Sequence, residues 1–185
     1  RWHPVQIIFA GKSHPAALPS KQLLHDVYTL ATDREFQGRI AFVEDYDIHM
    51  AHYLVQGVDV WLNTPRRLYE ACGTSGMKAA VNGVLHLSVR DGWWYEGYNG
   101  TNGWAIGDEV EAYDPKEEDK SDAAALYRLL EEEIIPLYYQ RDRNGMPHGW
   151  VHMVKEAVSS IVPRFCTRRV LKEYVEQMYI PAARK

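Results

Sequence analysis

Gly73-Thr74-Ser75-Gly76-Met77-Lys78 gathers two glycines, two hydroxyls and one amine within six residues, directly after Glu70-Ala71-Cys72. Glycines and hydroxyls favour a tight turn, and the helix-forming run Met77 to Val81 follows at once. Open backbone N–H groups at such a turn, backed by the positive end of a helix, make a seat for a phosphate. Lys78 then places an amine beside an anion anchor, which are the two requirements of pyridoxal phosphate. A positive helix end also disfavours a second positive charge, so a neutral, nucleophilic amine is easier to reach. The stretch is not a P-loop, because Met77 rather than glycine precedes Lys78 and Ala79 rather than Ser or Thr follows it. The same residues equally suit a structural turn whose lysine is solvated.

The elements that must position this turn are legible around it. Val5 to Ala10 is a continuous apolar run and reads as a buried parallel strand. Ser20 is placed to cap a helix through Thr32, with Leu23, Leu24, Val27 and Leu30 on one side. Arg39 to Val43 reads as a second strand, Ile48 to Val55 as a short helix closed by Gly57, and Val58 to Leu62 as a third strand. The helix from Gly76 ends at Asn82-Gly83, and Val84 to Val89 is a fourth strand. This β-α-β-α-β-α-β order predicts an α/β fold, a doubly wound, Rossmann-like parallel sheet over residues 1–107. Ligands bind such sheets at the strand C-termini, here the loops Gly11 to Pro15, Glu44 to Asp47 and Asn63 to Ser75.

Beyond the fourth strand the texture changes. Gly92 to Gly107 reads as aromatic turns around a short strand, and Glu109 to Asp122 as an acidic, solvated loop. Ser121 then caps a helix to Ile135, with Leu126, Leu129, Leu130 and Ile134 as its apolar face, and Trp150 to Ile161 and Thr167 to Tyr179 are two further helices. Residues 108–185 are thus an acidic loop and C-terminal helices packing on the same domain.

Composition narrows the function classes. The 185 residues carry a net charge of −4 and 46% hydrophobic residues, enough for a real core. The sequence pI near 6.1 invites neither nucleic acid nor an anionic membrane. No apolar run approaches the roughly 18 residues of a membrane span, and Arg1-Trp2-His3-Pro4 lacks the shape of a signal peptide. Cys72 and Cys166 are far apart and form no disulfide framework, so a cytoplasmic setting is expected. Six Trp and twelve Tyr suit an aromatic core, a sugar-stacking surface or a packed interface. Metal-ligand spacing with supporting residues is absent, and no metal is assigned. Asn99-Gly100-Thr101 spells a glycosylation sequon but reads as a turn.

Leu62-Asn63-Thr64-Pro65-Arg66-Arg67-Leu68-Tyr69-Glu70-Ala71-Cys72-Gly73-Thr74-Ser75-Gly76-Met77-Lys78-Ala79-Ala80-Val81-Asn82-Gly83 resembles the signature of the glycogen and α-glucan (maltodextrin) phosphorylases, closest to their short bacterial and archaeal branch. Three more segments agree in order: Phe9 to Pro15, Phe42 to Asp47 and Asp91 to Tyr98. The resemblance implies part of the C-terminal domain of a two-domain GT-B glycosyltransferase. It implies that Lys78 binds pyridoxal phosphate covalently, that Thr74 and Ser75 hold the cofactor phosphate, and that Tyr46 contacts the cofactor. Lys12 resembles the lysine that binds substrate phosphate. Glu70 resembles the carboxylate that accepts hydrogen bonds from the glucosyl unit, with Ala71, Cys72 and Gly73 offering backbone N–H groups to the same sugar.

The implied activity is transfer of a glucosyl unit from an α-1,4-glucan to inorganic phosphate, giving glucose 1-phosphate. Alternatives are half of a nucleotide-sugar-dependent retaining glycosyltransferase, or a non-catalytic module in which Trp93, Trp94 and Trp104 pack on glucan or a protein. The implied partners are the glucan, phosphate and an N-terminal domain of the same protein; homo-oligomer formation stays open. Full phosphorylases are several times longer, so the chain is expected to be a fragment, inactive alone. Arg66 and Arg67 are expected to act as structural glue with Glu44, Asp45 or Asp47. The sequence departs from the family at Cys72, where serine is usual, at Leu68-Tyr69, where Pro-Leu is usual, and at Tyr95, where an acid is common. Cys72, as a thiol beside a helix start, is a candidate for oxidation.

Overall fold

A computed structural model describes residues 3–107 and 114–184. All its strand pairs are parallel, and helices flank them, so the α/β class stands. The chain divides into two units, Arg1–Leu54 and Val55–Lys185.

In the first unit β1 (Ile7–Ala10) pairs with β2 (Ile40–Val43), Ile7 opposite Ile40. Helix α1 (Leu18–Thr32) joins them and sets Tyr28 edge-on to Phe42, with ring centres 6.0 Å apart. The helix begins two residues before Ser20, with Pro19 in its first turn and no side-chain cap. Proline fits there because its missing N–H would be unsatisfied anyway. The expectation of a buried β1 fails: Ile7, Ile8 and Phe9 are 41%, 45% and 37% exposed. Two strands and one helix cannot cover both faces of a strand, and no described residue from 3 to 54 is buried. Helix α2 (Ile48–Gly57) crosses the boundary between the units.

The second unit holds the core. Strands β3 (Val60–Asn63), β4 (Leu85–Val89) and β5 (Gly103–Ile106) pair in that order. Every residue of β4 is buried, as expected for the middle strand of a parallel sheet. Helix α3 (Thr74–Val81) packs on β4 through Gly76, Ala79 and Ala80, small residues that let the backbones approach. Between β4 and β5 lies α4 (Trp93–Gly97). Trp93, Trp94 and Trp104 are all buried, and Trp94 donates its indole N–H to the Trp104 carbonyl at 3.1 Å. These rings are core, so the non-catalytic module loses the exposed surface it required.

Helix α5 (Pro115–Arg128) corrects the reading of the acidic stretch. Residues 114–122 are a capped helix start, not a solvated loop; Glu109 to Tyr113 lie outside the described residues. The Asp114 side chain accepts from the Lys116 N–H, and Pro115 enters the first turn. Ser121 lies inside the helix rather than capping it. The helix widens to a π stretch at Leu129–Ile134 and continues as α6 (Ile135–Tyr139). The widening ends just ahead of Pro136, whose ring cannot fit behind a regular α turn. Helix α7 (His148–Ile161) sends Trp150, Ala157 and Ile161 into the core. Helix α8 (Thr167–Tyr174) runs through a second π stretch, Val175–Tyr179, into α9 (Ile180–Ala183), ahead of Pro181.

His86 sits in the middle of β4, 1% exposed, its ring centre 5.2 Å from that of Trp93 and 4.8 Å from that of Trp94. Neither ring nitrogen makes a hydrogen bond of ordinary geometry among the described residues. Burial lowers its pKa from 6.5 to about 3, against a smaller opposing contribution from the Trp61 backbone. Between those values the unfolded chain binds more protons than the fold. Stability is therefore intact above pH 6.5 and falls as pH drops toward 3, with a loss of about 2 kcal/mol at pH 5. Urea midpoints at pH 7 and pH 5 check this: the acid-induced loss should shrink by that amount in His86→Met, and an unchanged loss would refute it. The ring also fills the space beneath Gly76, where an added Cβ would lie 2.5 Å from it. Gly76→Ala should cost about 1–3 kcal/mol, and the thermal midpoint should recover when His86→Ala opens the space.

Candidate functional site

The turn after β3 is built by backbone pinning. Asp91 follows β4, and its carboxylate accepts from two backbone N–H groups, Glu70 at 2.9 Å and Gly92 at 2.8 Å. The Trp93 N–H then donates to the Cys72 carbonyl at 2.8 Å. Gly92 makes this contact possible: with φ 51, an added Cβ would lie 2.5 Å from the Cys72 oxygen. The turn is thereby fixed at Glu70 and at Cys72, on either side of Ala71.

Gly73 caps α3 in the left-handed region at φ 81, where glycine is favoured. An added Cβ there would meet the Glu70 side chain and the Trp93 ring at 3.4 Å, so the Glu70 stem folds back over the turn. Behind Gly73 the helix begins at Thr74, two residues earlier than expected. The first-turn N–H groups of a helix lack intrahelical acceptors, and those of Thr74 and Ser75 open the helix here. The Ser75 hydroxyl accepts from the Trp61 indole at 3.3 Å, which orients it.

The early start moves Lys78 to the last turn of α3. The argument from the positive helix end does not hold for it, since the nearer end is the negative one, which favours a cation. Lys78 is exposed, and its amine has no partner among the described residues. The turn thus holds Glu70, Ala71, Cys72, Gly73, Thr74 and Ser75 together, and Lys78 lies one turn further along α3. Cys72 is free and exposed.

Lys12 and Tyr46 belong to the first unit. Lys12 follows β1 and Tyr46 follows β2, at the C-terminal ends of paired strands. The Lys12 amine is 4.0 Å from the Asp45 carboxylate, and both are exposed, so the pair contributes little stability. Asp45 has φ 51, a positive value that a short polar side chain tolerates.

Arg66 and Arg67 are structural, with partners other than those expected. Arg67 forks onto Asp122 at 2.8 and 3.0 Å and reaches Glu118 at 3.0 Å. Arg66 reaches Glu118 at 3.2 Å and Asp119 at 2.9 Å. The hydrogen bond to Asp122 raises the Arg67 pKa above its ordinary value, with burial opposing. Leu68, next in sequence, has φ 66. Proline, expected at this position from the family resemblance, cannot adopt that angle.

Sequence reasoning missed Asp91, His86 and the carboxylates of α5 as parts of this assembly. Asp91-Gly92 at the end of a strand was a turn signal, and His86 inside an apolar run was the mark of a buried imidazole. Among the described residues no group of three His, Cys, Asp or Glu side chains is placed to hold a metal, and no helix is long and apolar enough to cross a membrane.

Comparison with known proteins identifies the family. The carbohydrate phosphorylase family profile matches residues 1–113. The chain is 60% identical over 177 residues to a glycogen phosphorylase of Aquifex aeolicus, covering 95% of this chain and 25% of that protein. It is 51% identical over 179 residues to a maltodextrin phosphorylase of Thermococcus litoralis, covering 97% and 21%. A glycogen phosphorylase of Mycobacterium bovis is 48% identical over 180 residues, covering 97% and 21%. The chain thus spans a quarter or less of the length of these relatives. With the family profile matching residues 1–113 and this degree of identity, the chain belongs to the carbohydrate phosphorylase family.

Proposed function

We propose that this chain is the cofactor- and sugar-binding portion of an α-glucan phosphorylase, a cytoplasmic glycosyltransferase that moves a glucosyl unit from an α-1,4-glucan onto inorganic phosphate. The observation that carries the reading is the pinned turn opening into α3, with Lys78 solvent-accessible on the same helix. Pyridoxal phosphate fits these residues: Gly73 supplies the left-handed turn that opens the helix, the first turn offers N–H donors, and Lys78 supplies an amine. When bound, that cofactor supplies a phosphate group for proton exchange with the substrate phosphate.

The chain's own residues position and stabilise. Thr74 and Ser75 hold an anion through backbone N–H groups at the start of α3. Glu70 accepts hydrogen bonds from sugar hydroxyls, and Ala71, Cys72 and Gly73 present N–H groups that small side chains leave approachable. The Asp91 carboxylate keeps the Glu70 backbone in place, so donors and acceptors are set before the sugar arrives. Lys12 binds the substrate phosphate as a point charge, and Tyr46 contacts the cofactor.

Treating the purified chain with pyridoxal phosphate and then with borohydride tests the assignment. Mass mapping should find one reduced pyridoxyl group on the Lys78 peptide in wild type and none in Lys78→Arg. Labelling spread over surface lysines, unchanged in Lys78→Arg, would overturn the cofactor role and favour the nucleotide-sugar alternative.

A further inference from the structure

The acidic face of α5 has no role in the reading above, yet it holds the base of the proposed sugar-binding turn. Arg67 is the centre of this contact. Its side chain is 13% exposed, and its partners Glu118 and Asp122 are 11% and 19% exposed. The two Arg67–Asp122 hydrogen bonds form a planar fork, the geometry that suits guanidinium and carboxylate and that lysine cannot reproduce. Glu118 also accepts from the Arg67 backbone N–H at 3.4 Å, so the carboxylate grips main chain as well as side chain. Arg66 extends the lattice to Asp119 and to the Pro115 carbonyl.

The end of β5 is shaped to admit this fork. Gly107, at φ 73, would carry a Cβ 2.1 Å from the Arg67 guanidinium and 2.3 Å from the Asp122 carboxylate. Any side chain at 107 displaces the pair. The lattice therefore joins α5 and the end of β5 to the segment that runs through Leu68 and Tyr69 into Glu70. That segment holds a leucine at positive φ, a conformation that persists only where the surroundings impose it.

We propose that Arg67, through Asp122 and Glu118, is a positioning residue for the Glu70–Ser75 turn, and that α5 is a brace setting the turn's rigidity and hence its affinity for ligands. The affinity part rests on the cofactor reading given under Proposed function; the rigidity part does not.

Amide hydrogen exchange of the full 185-residue chain tests the two parts separately, with pyridoxal phosphate titrated by absorbance in parallel. In Arg67→Lys and Asp122→Asn, exchange at Tyr69, Glu70 and Trp93 should quicken about tenfold, while Leu87 and Val89 in β4 keep their wild-type rates. Affinity for pyridoxal phosphate should weaken about tenfold at a temperature where every variant retains its circular dichroism. Arg67→Met removes the charge and should go further in the same direction. Unchanged exchange at Glu70 and Trp93 overturns the proposal, as does quickening shared equally by β4, which signals global destabilisation alone. Selective quickening in a chain that binds no pyridoxal phosphate upholds the brace and removes the cofactor reading instead.

Discussion

Backbone of the turn lying directly on backbone of the next loop is the constraint on which the site depends. The Cys72 carbonyl meets the Trp93 N–H at 2.8 Å only because Gly92 carries no side chain. Such contacts leave few ways to shift the turn without breaking a buried hydrogen bond, and an orphaned partner costs about 1–3 kcal/mol. Asp91 adds a charge-assisted hold on Glu70, and Trp93 carries the constraint into the core, tilted against His86 and edge-on to Phe165. A short loop is thus tied to the sheet beneath it through Trp93 and His86.

Local pattern was enough for the strands and for the identity of the turn. Val84 to Val89 read as a strand, and β4 agrees, whereas the burial expected of Val5 to Ala10 belongs to β4 instead. The Gly73-to-Lys78 turn was legible from residue type and spacing because glycines, hydroxyls and a following helix leave a local signature, whereas Glu70, Ala71 and Cys72 entered only through the family resemblance. The helix starts were less legible. Ser20 and Ser121 are good caps by residue type, but Pro19 and Pro115 set the actual first turns, since proline's fixed φ decides among nearby starting points. The same uncertainty placed Lys78 in the wrong turn of α3.

Long-range pairing was not legible at all. Arg66 and Arg67 had acidic candidates in both halves of the sequence, and nothing local separates Glu44 or Asp47 from Glu118 or Asp122. An acidic run reads as solvated until the fold lays it against arginines. Trp93 and Trp94 were equally ambiguous, because stacking surfaces and cores use the same rings; their burial against His86 decided for the core.

Stability is distributed unevenly between the two units, which follows from the absence of any buried residue among 3–54. A pair of short parallel strands with apolar residues left wet has little to oppose its conformational entropy. Its amides should open at low free energy while the tryptophan-rich unit stays closed, giving two foldons in one short chain. The uncovered Ile7, Ile8 and Phe9 are also a sticky face, so crowding this chain at high concentration invites association through apolar side chains before any unfolding of the larger core.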